Sequence, residues 1–267
     1  FLCQLALWHH RAVIKTITKK RYPISIGLVV VALYACMPTN STDTSVLNTN
    51  WDTYLGDPAR THYSPLTQIT PANVNQLQVA WSYNSGGLRG SRSTMFTSPL
   101  IVDGVLYGLS PRLVAFALDA ATGEELWRYS DGGDGAPQRG LMWWQNGEDK
   151  RVIYADGHQL VALNAETGEP VLSFGNNGYL DLRPTQDGGP FFSSVPGIVF
   201  EDSLIMGFST SESATSHAGM IRAFDVRSGD ELWRFNSLPV IGGLGADTWE
   251  EGALIEAGGA NNWTGMA

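Results

Sequence analysis

Three side chains carry chemistry that their surroundings do not explain. Arg139 opens the string Arg139-Gly-Leu-Met-Trp-Trp144, and a guanidinium is a planar fork of donors that fits a carboxylate bidentately. Glu212 follows Gly207-Phe-Ser-Thr-Ser211, and a carboxylate is the oxygen ligand that a hard cation prefers. Trp263, in Ala260-Asn-Asn-Trp-Thr-Gly265, offers a flat aromatic face. Each also has a plain reading: a surface arginine at a turn, a solvated loop carboxylate, a tryptophan wedged between sheets. Disulfide chemistry is not available to the body of the chain, because Cys3 and Cys36 are its only cysteines. His9 and His10 are given no metal role.

The elements that must position these residues announce themselves by repetition. Ala117-Leu-Asp119-Ala-Ala-Thr-Gly123-Glu-Glu-Leu-Trp127 recurs as Ala223-Phe-Asp225-Val-Arg-Ser-Gly229-Asp-Glu-Leu-Trp233. A degenerate copy, Ala162-Leu-Asn164-Ala-Glu-Thr-Gly168-Glu-Pro-Val-Leu172, lies between them. Each copy reads as a strand, an Asp or Asn closing on its own backbone, a glycine at positive φ, and a second strand. The terminal tryptophans, Trp127 and Trp233, are expected to wedge between adjacent sheets, and such arrays bury each unit against its neighbours. Further strands are expected at Val79–Tyr83, at Ser98–Val102 with Val105–Leu109 around Asp103-Gly104, at Val152–Ala155 with Leu160–Leu163, and at Ile198–Phe200 with Leu204–Gly207. The class is all-β. No segment has a long helical period, and a formal net charge of −9 argues against a nucleic-acid partner, which would want a basic face.

Together with the strings Trp51-Asp-Thr-Tyr-Leu-Gly-Asp57, Tyr63-Ser-Pro-Leu-Thr-Gln-Ile69, Asn75-Gln-Leu-Gln-Val-Ala-Trp81 and Gly258-Gly-Ala-Asn-Asn-Trp263, the repeats make residues 51–267 resemble the quinoprotein dehydrogenases. These are eight-bladed β-propellers that bind pyrroloquinoline quinone (PQQ) and are stapled by tryptophan-docking motifs. Within that family the chain looks most like the glucose/quinate/shikimate type. The resemblance implies a PQQ- and Ca²⁺-dependent dehydrogenase that oxidises a sugar, polyol or alcohol and passes electrons to ubiquinone or a cytochrome c. Carried over residue by residue, it implies that Arg139 pairs with a cofactor carboxylate and that Ser209, with Ser194 on a looser alignment, hydrogen-bonds the cofactor. Glu212 would ligate Ca²⁺, and Trp263 would stack on one face of the quinone. It also implies a general-base Asp and a second metal ligand, an Asn, that this chain does not contain, so no catalytic residue is assigned within it. About half a propeller is expected here, an N-terminal fragment that does not turn over by itself.

The sequence departs from the family at two places. Relatives of the alcohol type cover the second PQQ face with a vicinal disulfide just before the matching arginine, and glucose-type relatives can use a His. Gly133-Asp-Gly-Ala-Pro-Gln138 has neither, which speaks against the methanol/ethanol subgroup and leaves that face unassigned. Phe96 stands where relatives often place a Glu or Gln.

Residues 1–36 read as an extension and targeting segment. Lys19-Lys-Arg21 precedes an apolar run from Ile24 to Ala35 that ends in Leu33-Tyr-Ala-Cys36, which resembles a lipobox. No Met precedes Met37, so a start near Val13 or Ile14 is expected. Residues 37–50 read as a polar tether. The expected location is periplasmic, tethered to a membrane through a lipid or signal anchor. One alternative is a non-enzymatic propeller lipoprotein of the outer-membrane assembly type, which shares the repeats and the lipobox but binds proteins. Another is a dehydrogenase relative that has lost its cofactor. The joint presence of Arg139, Ser209, Glu212 and Trp263 favours the enzyme, since a scaffold has no use for that set.

Overall fold

The local chemistry of the repeats appears as expected. Asp119 Oδ1 accepts from the backbone N–H groups of Ala121 (3.0 Å) and Thr122 (2.8 Å). Asn164 Oδ1 does the same for Glu166 and Thr167, and Asp225 Oδ1 for Arg227 and Ser228. In a computed structural model, the structure describes residues 50–86, 94–132, 138–184, 191–211, 213, 216–262, 265 and 266. All of them lie in the compact unit Ser45–Ala267. The expected targeting segment with Cys36 lies outside the described residues, as do Glu212 and Trp263. Among the described residues no helix is long and apolar enough to cross a membrane.

Three antiparallel four-stranded sheets follow one another along the chain, in the manner of propeller blades. The first is β1 (Leu100–Val102), β2 (Val105–Leu109), β3 (Ala115–Asp119) and β4 (Glu125–Tyr129). The second is β5 (Met142–Asn146), β6 (Asp149–Asp156), β7 (Gln159–Asn164) and β8 (Tyr179–Asp181). The third is β10 (Ile198–Phe200), β11 (Ser203–Gly207), β13 (Met220–Asp225) and β14 (Glu231–Asn236). A two-stranded ribbon, β9 (Phe191–Phe192) with β12 (Ser209–Thr210), sits beside the third. The hairpins read from sequence are present, with strands running Leu100–Val102 where Ser98–Val102 was expected, because Ser98 pairs outward with Gly140.

The middle sheet is buried on both faces, and the two-residue period of a strand divides its side chains between them. Val152, Tyr154, Val161 and Leu163 join Leu100, Tyr107, Leu109 and Trp127 in one core cluster. Ile153, Ala155, Leu160 and Ala162 join Phe174, Leu204, Met206, Phe208 and Phe224 in another. The near-continuous apolar reading of β6 and β7 follows from serving both.

The sheets are joined at the repeat turns. Trp127 Nε1 donates to the carbonyl of Ala165 at 2.9 Å, and Trp81 Nε1 to that of Ala120 at 3.1 Å. Both acceptors directly follow the Asp or Asn of a turn. The indole lies so close over the turn glycine that a Cβ at Gly168 would meet the Trp127 ring at 2.6 Å, while φ there is +74°. Position 168 therefore excludes a side chain twice over. Val79–Tyr83 is not a strand: among the described residues no backbone pairs with it, and it is held instead by side chains, Trp81 at the turn and Tyr83 against Phe116 with ring centroids 4.9 Å apart.

The third turn shows a substitution of chemistry. The degenerate repeat ends in Leu172, which is 72% exposed and docks nowhere. Arg151, 4% exposed, takes its place: its Nη1 donates to the carbonyls of Val226 and Arg227, both at 2.9 Å. Val226 follows Asp225 as Ala165 follows Asn164. Asp149 pairs with the guanidinium at 2.7 Å, and the Trp144 ring lies 5.2 Å beneath it. Trp233, expected to be a staple, is 44% exposed and has no docking turn among the described residues.

Trp127→Ala should cost about 3–5 kcal/mol in urea unfolding, a large aromatic removed from a packed interface. Gly168→Ala should cost about 2–4 kcal/mol through backbone strain and overlap. Arg151→Ala should cost about 2–4 kcal/mol by losing two buried carbonyl bonds and an ion pair, whereas losing the more solvent-accessible ion-pair arginine Arg183 should cost much less. Equal losses for Arg151→Ala and Arg183→Ala would refute the stapling role of Arg151.

Candidate functional site

Segments that lead into successive sheets are tied edge to edge, and this ladder assembles the candidate residues. Ser98 N–H donates to the Arg139 carbonyl at 2.9 Å, and Thr97 Oγ1 to that of Gln138 at 2.9 Å. Arg139 N–H in turn donates to the Ser194 carbonyl at 3.0 Å. Ser194 continues from β9, where Phe192 pairs with Ser209 and Phe191 with Thr210. Thr210 Oγ1 then reaches Asn261 Oδ1 at 2.6 Å. Three residues far apart in sequence, Arg139, Ser194 and Ser209, are thereby carried on one continuous rim that ends at the asparagine pair preceding Trp263.

The rim is braced from behind. Ser193 Oγ donates to the carbonyls of Val195 (3.0 Å) and Gly207 (3.3 Å), holding β9 to the end of β11. Phe208, fully buried next to Ser209, lies 5.6 Å from the Arg222 guanidinium, which also sits 4.6 Å over Phe224. Arg222 donates to the Leu182 carbonyl at 2.7 Å and pairs with Glu231. Burial pushes the Arg222 pKa down, with Glu231 opposing. Hydrogen bonds from Arg234 and then Arg222 hold the Glu231 carboxyl below its ordinary range against some burial. This charge pair is structural: both partners are spent on each other.

Arg139 contrasts with it. Its side chain is exposed and makes no ion pair among the described residues, while Arg128, Arg151, Arg183, Arg222, Arg227 and Arg234 all pair with carboxylates. A chain of net charge −9 has carboxylates to spare, so a guanidinium without an ion pair among the described residues, on the same rim as buried Ser209 and half-buried Ser194, suits an anionic ligand. Trp144 is core, its Nε1 bonded to Asp202 Oδ1 at 3.1 Å, and Trp143 packs 5.5 Å from Tyr107. Phe96 is exposed. A cleft of about 500 Å³ lined by Asp52, Tyr54, Trp143, Gln145 and Glu201 lies further along β5 and β10, and none of Arg139, Ser194 or Ser209 borders it. Among the described residues no group of three or more His, Cys, Asp or Glu could hold a metal; Glu212, between Ser211 and Ser213, lies outside them. Sequence reasoning missed Ser193, Thr210 and Asn261, whose roles depend on partners that spacing does not reveal.

Residues 51–267 match the glucose/ethanol/alcohol dehydrogenase β-propeller domain, a PQQ family. The chain belongs to this family. It is 31% identical over 224 residues to the quinohemoprotein alcohol dehydrogenase ADH-IIG of Pseudomonas putida, covering 77% of this chain and 29% of that protein. Against the quinohemoprotein alcohol dehydrogenase of Comamonas testosteroni it is 33% identical over 71% of this chain and 26% of the relative. Against the quinoprotein glucose dehydrogenase of Escherichia coli K12 it is 28% identical over 72% and 27%. The crystal structure of the Comamonas enzyme superimposes with a TM-score of 0.60 at 31% identity, over 72% of this chain and 28% of that one. The chain thus spans less than a third of the length of these relatives, and its three sheets are a partial quinoprotein propeller. Similarity extends to alcohol and glucose dehydrogenases alike.

Replacing Arg139 by Ala should leave stability within about 0.5 kcal/mol of the parent, as expected for an exposed side chain with no partner. A loss of several kcal/mol in urea unfolding would mean that Arg139 is structural and not held ready for a ligand.

Proposed function

We propose that this chain is the cofactor-binding part of a longer PQQ- and Ca²⁺-dependent dehydrogenase that oxidises a sugar, polyol or alcohol in the periplasm. The observation that carries the reading is the uncommitted Arg139 guanidinium on the same rim as Ser194 and Ser209, in a chain of the quinoprotein family. PQQ is a tricarboxylate quinone, and when bound it supplies the hydride acceptor that amino acids lack. Arg139 would hold one carboxylate through paired N–H bonds, Ser209 and Ser194 would add hydroxyl donors, and Trp263 would cover one ring face. Glu212 would give a carboxylate oxygen to Ca²⁺, the hard ligand that ion takes. The general base that removes the substrate hydroxyl proton belongs to the remainder of the longer protein. The missing vicinal cysteine pair in Gly133–Gln138 speaks against the methanol/ethanol subgroup, and with no His there the second PQQ face stays unassigned. Cys36 and the apolar run before it support a membrane tether, with ubiquinone or a cytochrome c as electron acceptor.

The test is a PQQ titration of the full-length protein in Ca²⁺, read by tryptophan fluorescence. Stoichiometric binding is expected, weakened by about 10- to 100-fold in Arg139→Ala, the worth of a charge-assisted bidentate pair. Trp263→Ala should weaken it by about 10-fold, and Glu212→Ala should remove its Ca²⁺ dependence. Folded protein that binds no PQQ would refute the reading and turn attention to protein partners of a propeller scaffold.

A further inference from the structure

The ladder that carries Arg139 is thin. One backbone hydrogen bond joins Arg139 to Ser98 and one joins it to Ser194, and a single such bond gives only a modest net hold. A second restraint comes from residues 50–60, which lie outside the strands of the three sheets. Trp51 exchanges two backbone bonds with Ile101 of β1, at 2.7 and 3.0 Å, and Asn50 Oδ1 accepts from the Asp103 N–H at 3.0 Å. The chain then turns, with Gly56 N–H donating to the Thr53 carbonyl at 2.9 Å. Gly56 has φ +104°, and the Trp51 ring is so near that a Cβ there would meet it at 2.8 Å.

Tyr54 stands in this turn, and its ring lies over Gly140. A Cβ at Gly140 would meet Tyr54 Cδ2 at 2.7 Å and Cε2 at 3.2 Å, and Pro196 Cγ at 3.1 Å. The space in which a side chain at 140 would stand is therefore filled by Tyr54 and Pro196 together. Gly140 follows Arg139 directly and bridges Ser98, while Pro196 lies two residues past Ser194. No positive φ is needed at Gly140; the ring above it accounts for the missing side chain. On the third-sheet side, Gly197 N–H donates to Met142 Sδ at 3.2 Å, which ties the Pro196 turn to β5. Arg60 holds Tyr54 in turn: its Nη1 donates to the Tyr54 carbonyl at 3.1 Å, and its Cζ lies 4.9 Å from the ring centroid. One aromatic ring, on a segment hydrogen-bonded to the first sheet, thus occupies the point where the lead-ins of the second and third sheets come together.

We propose that Tyr54 is a positioning residue for Arg139. Its ring, wedged over Gly140 beside Pro196, fixes the ladder and with it the backbone from which the Arg139 guanidinium reaches an anionic ligand. The ring carbons make this contact, so the hydroxyl is not needed for it. This rests on the reading of Arg139 given under Proposed function.

The test uses the full-length protein and two readouts, hydrogen exchange without cofactor and PQQ affinity in Ca²⁺. Tyr54→Ala should speed exchange of the Ser98 and Arg139 amides by about tenfold, leave β6 and β7 protected, and weaken PQQ binding by about tenfold. Tyr54→Phe keeps the ring over Gly140 and should match the parent in both readouts. Gly140→Ala pushes a methyl into the place of the ring and should shift both readouts as Tyr54→Ala does, which keeps the test alive if Tyr54→Ala fails to fold. In protein already carrying Arg139→Ala, adding Tyr54→Ala should change PQQ affinity by less than about twofold, because the two act through one contact. Unchanged exchange at Ser98 and Arg139 would overturn the wedge. Additive losses of affinity, or a loss in Tyr54→Phe as large as in Tyr54→Ala, would overturn the positioning role. Parent protein that binds no PQQ would sink the functional reading and the positioning role with it, while the exchange data would still report whether Tyr54 holds the ladder.

Discussion

A single carbonyl in each repeat turn decides how one sheet meets the next. It follows the Asp or Asn whose side chain caps the turn, so it points outward with no partner in its own sheet. A donor from the preceding sheet or segment must satisfy it, since an unpaired buried carbonyl costs about 1–3 kcal/mol. Trp81 serves Ala120, Trp127 serves Ala165, and Arg151 serves Val226. The glycine four residues after the Asp or Asn lets the indole approach at Gly123 and Gly168, whereas Gly229 lies against the backbone of Gly175. Indole and guanidinium are chemically unlike, yet both are flat, carry an N–H at the edge and tolerate burial of their faces. The structure requires that geometry, and not tryptophan as such.

The rim depends on this docking. Ser98, Arg139 and Ser194 can form a backbone ladder only if three sheets are stacked at a fixed spacing, because their hydrogen bonds of 2.9 and 3.0 Å tolerate little movement. Side chains on the ladder are therefore aimed by interfaces lying well away from them. Ser209 is set by Phe208 in the core and by the Arg222–Glu231 pair. A ligand that bridges the rim would find its donors already placed, which lowers the ordering cost of binding. The structural arginines spend their charge inside the sheets, whereas the exposed Arg139 side chain makes no ion pair among the described residues.

Much of the fold was legible because its rules are local. An Asx turn, a glycine at positive φ and alternating apolar residues can be read in eleven positions, and the hairpins at Asp103-Gly104, in β6–β7 and in β10–β11 followed from the same signals. The reading failed where a long-range partner decides. Val79–Tyr83 has the composition of a strand but no backbone ladder among the described residues. Leu172 marks a missing staple, and nothing near it in sequence points to Arg151 as the replacement. Arg139, Ser194 and Ser209 were named through family likeness, and the structure supplies the ladder that unites them; Thr210 was invisible because its partner lies 51 positions away.

A crystal structure of the full-length protein grown with PQQ and Ca²⁺ tests the central claim most directly. The account predicts a PQQ carboxylate within hydrogen-bonding distance of the Arg139 guanidinium, the quinone ring against Trp263, and Ser194 and Ser209 bordering the same molecule. PQQ seated instead in the cleft between β5 and β10, or Arg139 turned away to an ion pair with another part of the protein, would contradict it.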